Sequence, residues 1–421
     1  MSQEHSHRGR TLFLAAVLHA FTHIYQLALI PLYLPIQRFF RRDSVDDATL
    51  LVTVMLIAYF LPSYVMGILA DRLSRTRLLA FGLMLNGLGF VALALSPSYA
   101  MAVVAVIAAG LGGSFFHPAA TALTARLYPE KPGRALGFLG IGASIGFFIG
   151  PLYSGWRYRM TGDWRWPIGE LGAFGLLFAA IFFWLADKDQ PSAGISRTTT
   201  GGIGKMEPLF PTAGLWVMFI MAALIFLLRD FTAGSMSTAG SLFLQKARGF
   251  DVERTGFTIS FIFIASAISN PLFGHFSDRA RLKWAAIVVV VAAIFVAMFP
   301  RVPEQWIIPT LLIYGFFLMA SYPIVEAALM ESVPDSVRGR VFGLFITIGG
   351  LLGNLSHYIV GKWVVSFGPR ASEVQTYYSL YHWLAVFLLL SLLGLPCLRA
   401  IRKRESAVHA LAHPEPRTTL P

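Results

Sequence analysis

Charge is the first thing this chain lacks. Only 13% of its 421 residues are Asp, Glu, Lys or Arg, against about 25% in an ordinary soluble domain. Cysteine is nearly absent too. Cys397 stands alone, which excludes a disulfide within the chain and argues against a cysteine-based metal site. No His-Glu-x-x-His motif and no nucleophile–base pairing occurs, so nothing supports a hydrolytic enzyme. No polar stretch is large enough to form a soluble sensor domain. The ten-residue alternation of a membrane β-barrel strand is missing as well, and no small-residue cleavage site follows the polar start "MSQEHSHRGR", so no removed signal peptide is expected.

Apolar residues fill the space that charge leaves. The chain is 56% hydrophobic, with a mean hydropathy of +0.64. Runs of roughly 18 or more apolar residues recur, each long enough to cross the ~30 Å hydrocarbon layer. Lipid-exposed backbone must satisfy its own hydrogen bonds, so these runs are read as helices. Twelve are expected, over residues 11–36, 48–70, 77–96, 99–127, 134–155, 168–186, 212–237, 254–276, 283–300, 305–331, 339–366 and 376–398. The fold class is therefore an all-α membrane protein. A segment rich in Gly, Ser, Thr and Pro separates the sixth run from the seventh and reads as a linker. The expected organisation is a six-helix bundle at 1–186, a cytoplasmic linker at 187–211, a second six-helix bundle at 212–400 and a cytoplasmic tail at 401–421, disordered after Arg404.

The formal net charge is +12. Its bland reading is the bias of Lys and Arg towards cytoplasmic loops, so no nucleic-acid partner is expected. Loops on the side of the N-terminus carry more basic residues than those opposite. Both termini are thus expected in the cytoplasm of a multi-pass protein of the inner (cytoplasmic) membrane.

The sequence repeats itself. "GILADRLSRTR" (Gly67–Arg77) follows the second run and "GHFSDRARLK" (Gly274–Lys283) follows the eighth. "HPAATALTARLYPEKPGRALG" (from His117) matches "YPIVEAALMESVPDSVRGRVFG" (from Tyr322) with one inserted residue. Two six-helix halves in parallel orientation are a transporter architecture. The Gly-x-x-x-Asp-Arg-x-x-Arg pattern resembles the signature loop of the major facilitator superfamily. That resemblance implies a conformational gating role for Gly67, Asp71, Arg72, Arg75, Gly274, Asp278 and Arg279. Asp71 and Asp278 would cap neighbouring helix N-termini and pair with arginine, which suits the positive end of a helix. In the fifth run Gly142, Gly146, Gly150 and Pro151 are similar to the glycine-proline motif of exporters in that superfamily. Glycines every four residues also let helices pack closely in lipid.

Polar residues at membrane depth are costly and are functional candidates by default. They are His19, His23 and Gln26 in the first run, His117 in the fourth, Arg229 and Asp230 in the seventh, Glu326 in the tenth, and Asn354 and His357 in the eleventh. In "LHAFTHIYQ", His19, His23 and Gln26 recur at i, i+4 and i+7 and share a helix face. The resemblance makes runs one, four, seven and ten the lining of a central substrate and proton cavity. Histidine changes charge readily near neutral pH, so His19 or His23 is one candidate proton carrier; Asp230 or Glu326, beside Arg229, is the preferred one. Adjacent on a helix, Arg229 and Asp230 should point about 100° apart, so at least one is expected to pair with another helix. Trp156, Trp164 and Trp166 read as interfacial anchors.

The first run also resembles that of fosmidomycin-resistance-type exporters, and "GSFFHPAATALTARL" resembles their fourth. His19, Gln26, His117 and Pro118 match. At His23 that family carries an acid. The reading is a secondary transporter that exports a small organic compound, drug-like or anionic, by proton-coupled alternating access. It is not an enzyme, and it acts as a monomer without cofactor or resident metal. Its partners are the substrate, protons and the bilayer. Proton-coupled uptake of an organic anion uses the same parts. A divalent-metal transporter is a further alternative, with His19, His23, His117 and Asp230 as an N/O ligand set.

Overall fold

The structure, a computed structural model, describes residues 2–187, 209–277, 280–333 and 337–412. Among the described residues all regular structure is helical. Twelve helices are long and apolar enough to cross a membrane: α1 (His7–Phe39), α2 (Asp46–Ala70), α3 (Arg75–Ala94), α4 (Tyr99–Leu127), α5 (Gly133–Thr161), α6 (Arg165–Leu185), α7 (Ala213–Lys246), α8 (Val252–Ser277), α9 (Arg281–Arg301), α10 (Glu304–Met330), α11 (Arg340–Ser366) and α12 (Val374–Lys403). The number matches the expectation, but several helices outrun it. α7 continues well past 237, because its last turns are buried and make polar contacts to α1. A helix runs over Gly394–Ala412, so the part of the tail up to Ala412 is helical, not disordered. Its Ala, Leu and Glu are good helix formers. Most of the linker expected at 187–211 lies outside the described residues.

Close approaches of α5 build the first half. Gly142, Gly146 and Gly150 lie against the backbone carbonyls of Ala16, Ala20 and Ile24 in α1, so close that a Cβ on any of them would collide. Glycine at these places lets two backbones meet in lipid, where van der Waals packing replaces the hydrophobic drive.

The two halves meet along two seams. In the first, Gly155 of α5 lies against Val252 and Glu253 of α8, and Gly256 of α8 lies against the carbonyl of Pro151. Phe147 stacks on Phe263 at 5.1 Å, and the Ser266 hydroxyl donates to Ser144 Oγ at 2.7 Å. On the same face of α5, one and two turns further, Gly140 and Gly137 meet nothing. The second seam joins α2 to α11. Lys362 pairs with Asp46 at 3.2 Å. Gly361 packs on Thr49, Thr53 Oγ1 donates to the Asn354 carbonyl at 3.1 Å, and Gly350 packs on Phe60. Two turns on, Gly343 meets nothing. Between the seams, Ser241 of α7 donates to the Ile30 carbonyl of α1 at 2.7 Å. The halves are thus joined at the end of the α1–α2 and α7–α8 turns, while the glycines of α5 and α11 nearer the end of the termini meet no neighbouring atom.

Trp156 and Trp166 are exposed, as anchors would be, but Trp164 is only 2% exposed. It packs against Phe39 and Phe40, which cover it where α1 runs beyond its expected end.

Gly146→Ala would push a methyl into the Ala20 carbonyl and should lower stability by about 1–3 kcal/mol. Gly137→Ala meets open space and should be neutral or stabilising by up to ~1 kcal/mol. Thermal unfolding of the two variants in detergent checks the difference in sign.

Candidate functional site

The structure gathers the polar candidates into two clusters, one per half. In the first, His19 and His23 are buried one turn apart on α1. Their Nε2 atoms face each other at 3.0 Å. His19 Nδ1 contacts the Leu139 carbonyl of α5 at 2.8 Å, and His23 Nδ1 contacts Gln26 Oε1 at 3.0 Å. α4 is interrupted at Ser114, and its second segment starts at Phe116, which puts His117 beside the pair. Ring centroids of His117 lie 5.4 Å from His19 and 5.8 Å from His23. Phe116 stacks on His19 at 4.4 Å and Phe147 covers His23 at 4.0 Å. His117 itself is exposed.

In the second cluster Arg229 is buried to 1% exposure. Contrary to the expectation from helix geometry, it pairs with its own neighbour. Nε donates to Asp230 Oδ1 at 3.0 Å and Nη2 reaches the same oxygen at 2.9 Å. The Cβ directions do diverge, but the long arginine stem bends the guanidinium back round the helix. It meets α10 as well: Nη1 donates to the Ser321 carbonyl at 3.3 Å, and the guanidinium carbon sits 4.0 Å over the Tyr322 ring. A planar cation on an aromatic face is favourable when both are desolvated. Asp230 is held against α11, where Gly349 and Gly353 leave room for its carboxyl and Cβ. Glu326, one turn beyond Tyr322, is half-buried and feels the charges of both Arg229 and Asp230.

The two clusters share a plan. His117 and Tyr322 are matched by the internal repeat, and each sits beside the polar group of its half's first helix. Other candidates stay outside. Arg72 is exposed and Gly67 faces Pro118. Asp278 and Arg279 fall outside the described residues, as does the side chain of Asp71. The N-terminus of α3 is capped by Ser74, whose Oγ accepts from the Arg77 amide. Tyr25, on the same helix as His19 and His23, donates to the Leu171 carbonyl within its bundle.

Sequence reasoning passed over three features. A polar chain crosses the halves from Tyr33 through Thr238 (2.9 Å) to His357 (2.6 Å). The Leu139 carbonyl carries no side-chain signal at all. Gly349 and Gly353 do carry one, a spacing of four residues in α11, and it could have been read as room for a partner.

Asp230→Ala should leave the buried guanidinium short of its anion and lower stability by about 3 kcal/mol, whereas Arg229→Met with Asp230→Ala should recover much of that loss, since removing both partners spares the uncompensated charge. Denaturation midpoints of the two proteins in detergent measure this; equal losses would show that the pair is not coupled.

Comparison with known proteins agrees with the geometry. The family model described as "Major Facilitator Superfamily" matches residues 12–357. Quinolone resistance protein NorA of Staphylococcus aureus (strain MRSA252) is 22% identical over 345 residues, covering 77% of this chain and 84% of that protein. Fosmidomycin resistance protein of Escherichia coli (strain K12) is 22% identical over 348 residues, covering 82% and 83%. Among solved structures, a bacterial homolog of the human lysosomal transporter Spinster, in an inward-facing and unoccupied conformation, aligns with a TM-score of 0.73 at 15% identity over 95% of this chain and 98% of that one. Twelve apolar helices in two repeated halves, and a match across most of their length, place this chain in the Major Facilitator Superfamily.

Proposed function

We propose that this transporter exports a small organic compound, drug-like or anionic, in exchange for protons. The observation that carries the reading is the cluster around Arg229: a buried guanidinium held by one carboxylate, stacked on an aromatic ring and watched by a second carboxyl. Exchange follows where substrate and proton compete for one carboxylate: a basic or hydrogen-bond-donating group of a drug-like substrate held at Asp230 leaves no place for the proton, and a proton on Asp230 removes the charge that held the substrate. This competition couples the two without both occupying the site at once, whereas an anionic group taken up by Arg229 would travel together with the proton. The resistance proteins among the relatives favour export over uptake. The basic bias of the loops favours the inner membrane with both termini cytoplasmic. The end at which Gly137, Gly140 and Gly343 meet nothing would then face the cytoplasm, the side from which an exporter loads. The chain would act as a monomer, with residues 1–186 and 212–400 as its two moving bundles.

The test is flux in proteoliposomes under an imposed pH gradient, across a panel of fluorescent drugs and organic anions. Wild-type protein should drive at least one of them. Asp230→Asn should cut proton-driven flux by at least about tenfold, a barrier change of about 1.4 kcal/mol. Glu326→Gln should shift the pH dependence. Gradient-driven flux unchanged in both variants would contradict the coupling assignment.

A further inference from the structure

The histidine cluster is not used by that mechanism, and with the Gln26 amide oriented as it stands its hydrogen bonds do not close. A carbonyl oxygen only accepts, so His19 Nδ1 carries the hydrogen that bonds to Leu139 (2.8 Å). Its Nε2 therefore presents a lone pair. Gln26 Oε1 also only accepts, so His23 Nδ1 donates to it at 3.0 Å, and His23 Nε2 presents a lone pair as well. These two lone pairs face each other at 3.0 Å inside the protein. Two bare imidazole nitrogens at that distance repel unless a positive ion, a metal or a proton, sits between them. The buried Gln26 amide nitrogen makes no hydrogen bond of normal geometry, and the Tyr59 hydroxyl is the polar group it faces.

The arrangement has what a nitrogen-ligated metal needs. A ligating histidine usually donates its other ring N–H to a carbonyl or carboxylate, which fixes the tautomer and the ring plane. His19 and His23 both do so. A third imidazole is at hand: ligand nitrogens of His19, His23 and His117 all lie within 4.8 Å of one another. Tetrahedral zinc, with Zn–N near ~2.0–2.1 Å, holds its nitrogens roughly 3.3 Å apart. The His19–His23 edge is already near that value, and His117, being exposed, is the ligand with freedom to close on it. Phe116 and Phe147 wall the site on the buried side. The exposed side would be left for a fourth ligand, water or an oxygen of a substrate.

We infer that His19, His23 and His117 form a three-histidine site for a divalent transition-metal ion of the zinc, cobalt or nickel class, with its fourth position open. The inference goes beyond the export reading and does not depend on it, since binding requires no turnover.

Cobalt(II) titration of the purified full-length protein tests it. An untagged protein with His5→Ala and His7→Ala removes the N-terminal histidines that would bind metal on their own. One equivalent of cobalt should give the visible absorption of a tetrahedral site, and zinc should displace it. His117→Gln, which removes a direct ligand, should weaken cobalt binding by more than the roughly 10–100-fold that loss of an outer partner costs, without lowering the unfolding temperature of the metal-free protein, because His117 is exposed. His23→Gln should abolish the signal. Absence of a tetrahedral spectrum, or a spectrum that survives both substitutions, would overturn the inference. In that case a flipped Gln26 amide, donating to His23 while His23 donates to His19, closes the hydrogen bonds without a metal.

Discussion

The close approach of α5 to two other helices underlies the architecture. On one side its glycines rest on α1 carbonyls from Ala16 to Ile24. Further along, Pro151 and Gly155 meet α8 of the other half, where Gly256 supplies the second small residue. One helix thus bonds its own bundle and hinges against the other. Backbone-to-backbone packing has little give, because a single added methyl group would collide. Near the other end Gly137, Gly140, Gly274 and Gly343 meet nothing.

The site itself follows from the repeat. Each half places a titratable or charged group on its first helix and an aromatic or imidazole ring on its fourth. The halves have since diverged in chemistry. The first half gathers three imidazoles; the second holds a guanidinium with two carboxyls beside it.

Much of this was legible in the sequence. Helix number, the repeat and the two polar clusters come from hydropathy, spacing and the rule that membrane-buried charge is rare. The His19–His23–Gln26 face was read from its i, i+4, i+7 spacing and stands as a face. What stayed hidden depended on groups without sequence signatures. The Leu139 carbonyl that orients His19 is backbone. Arg229 folding back on Asp230 depends on side-chain reach and not on Cβ direction. Trp164 was read with Trp156 and Trp166 as an interfacial anchor, yet the extended end of α1 covers it. The helical start of the tail was missed because its polar composition was read as disorder, although its alanines, Leu411 and Glu405 favour helix.

The central claim is that the two halves rock about the α5–α8 and α2–α11 seams in response to protonation. Electron–electron spin distances test it directly, in a Cys397→Ser background with one label pair at Gly137→Cys and Gly343→Cys and another at Arg159→Cys and Arg254→Cys. Moving reconstituted protein between alkaline and acidic buffer should shorten the first distance while lengthening the second, and Asp230→Asn should blunt both changes. Distance distributions that stay fixed across pH at both ends, in the wild-type background, would contradict the account.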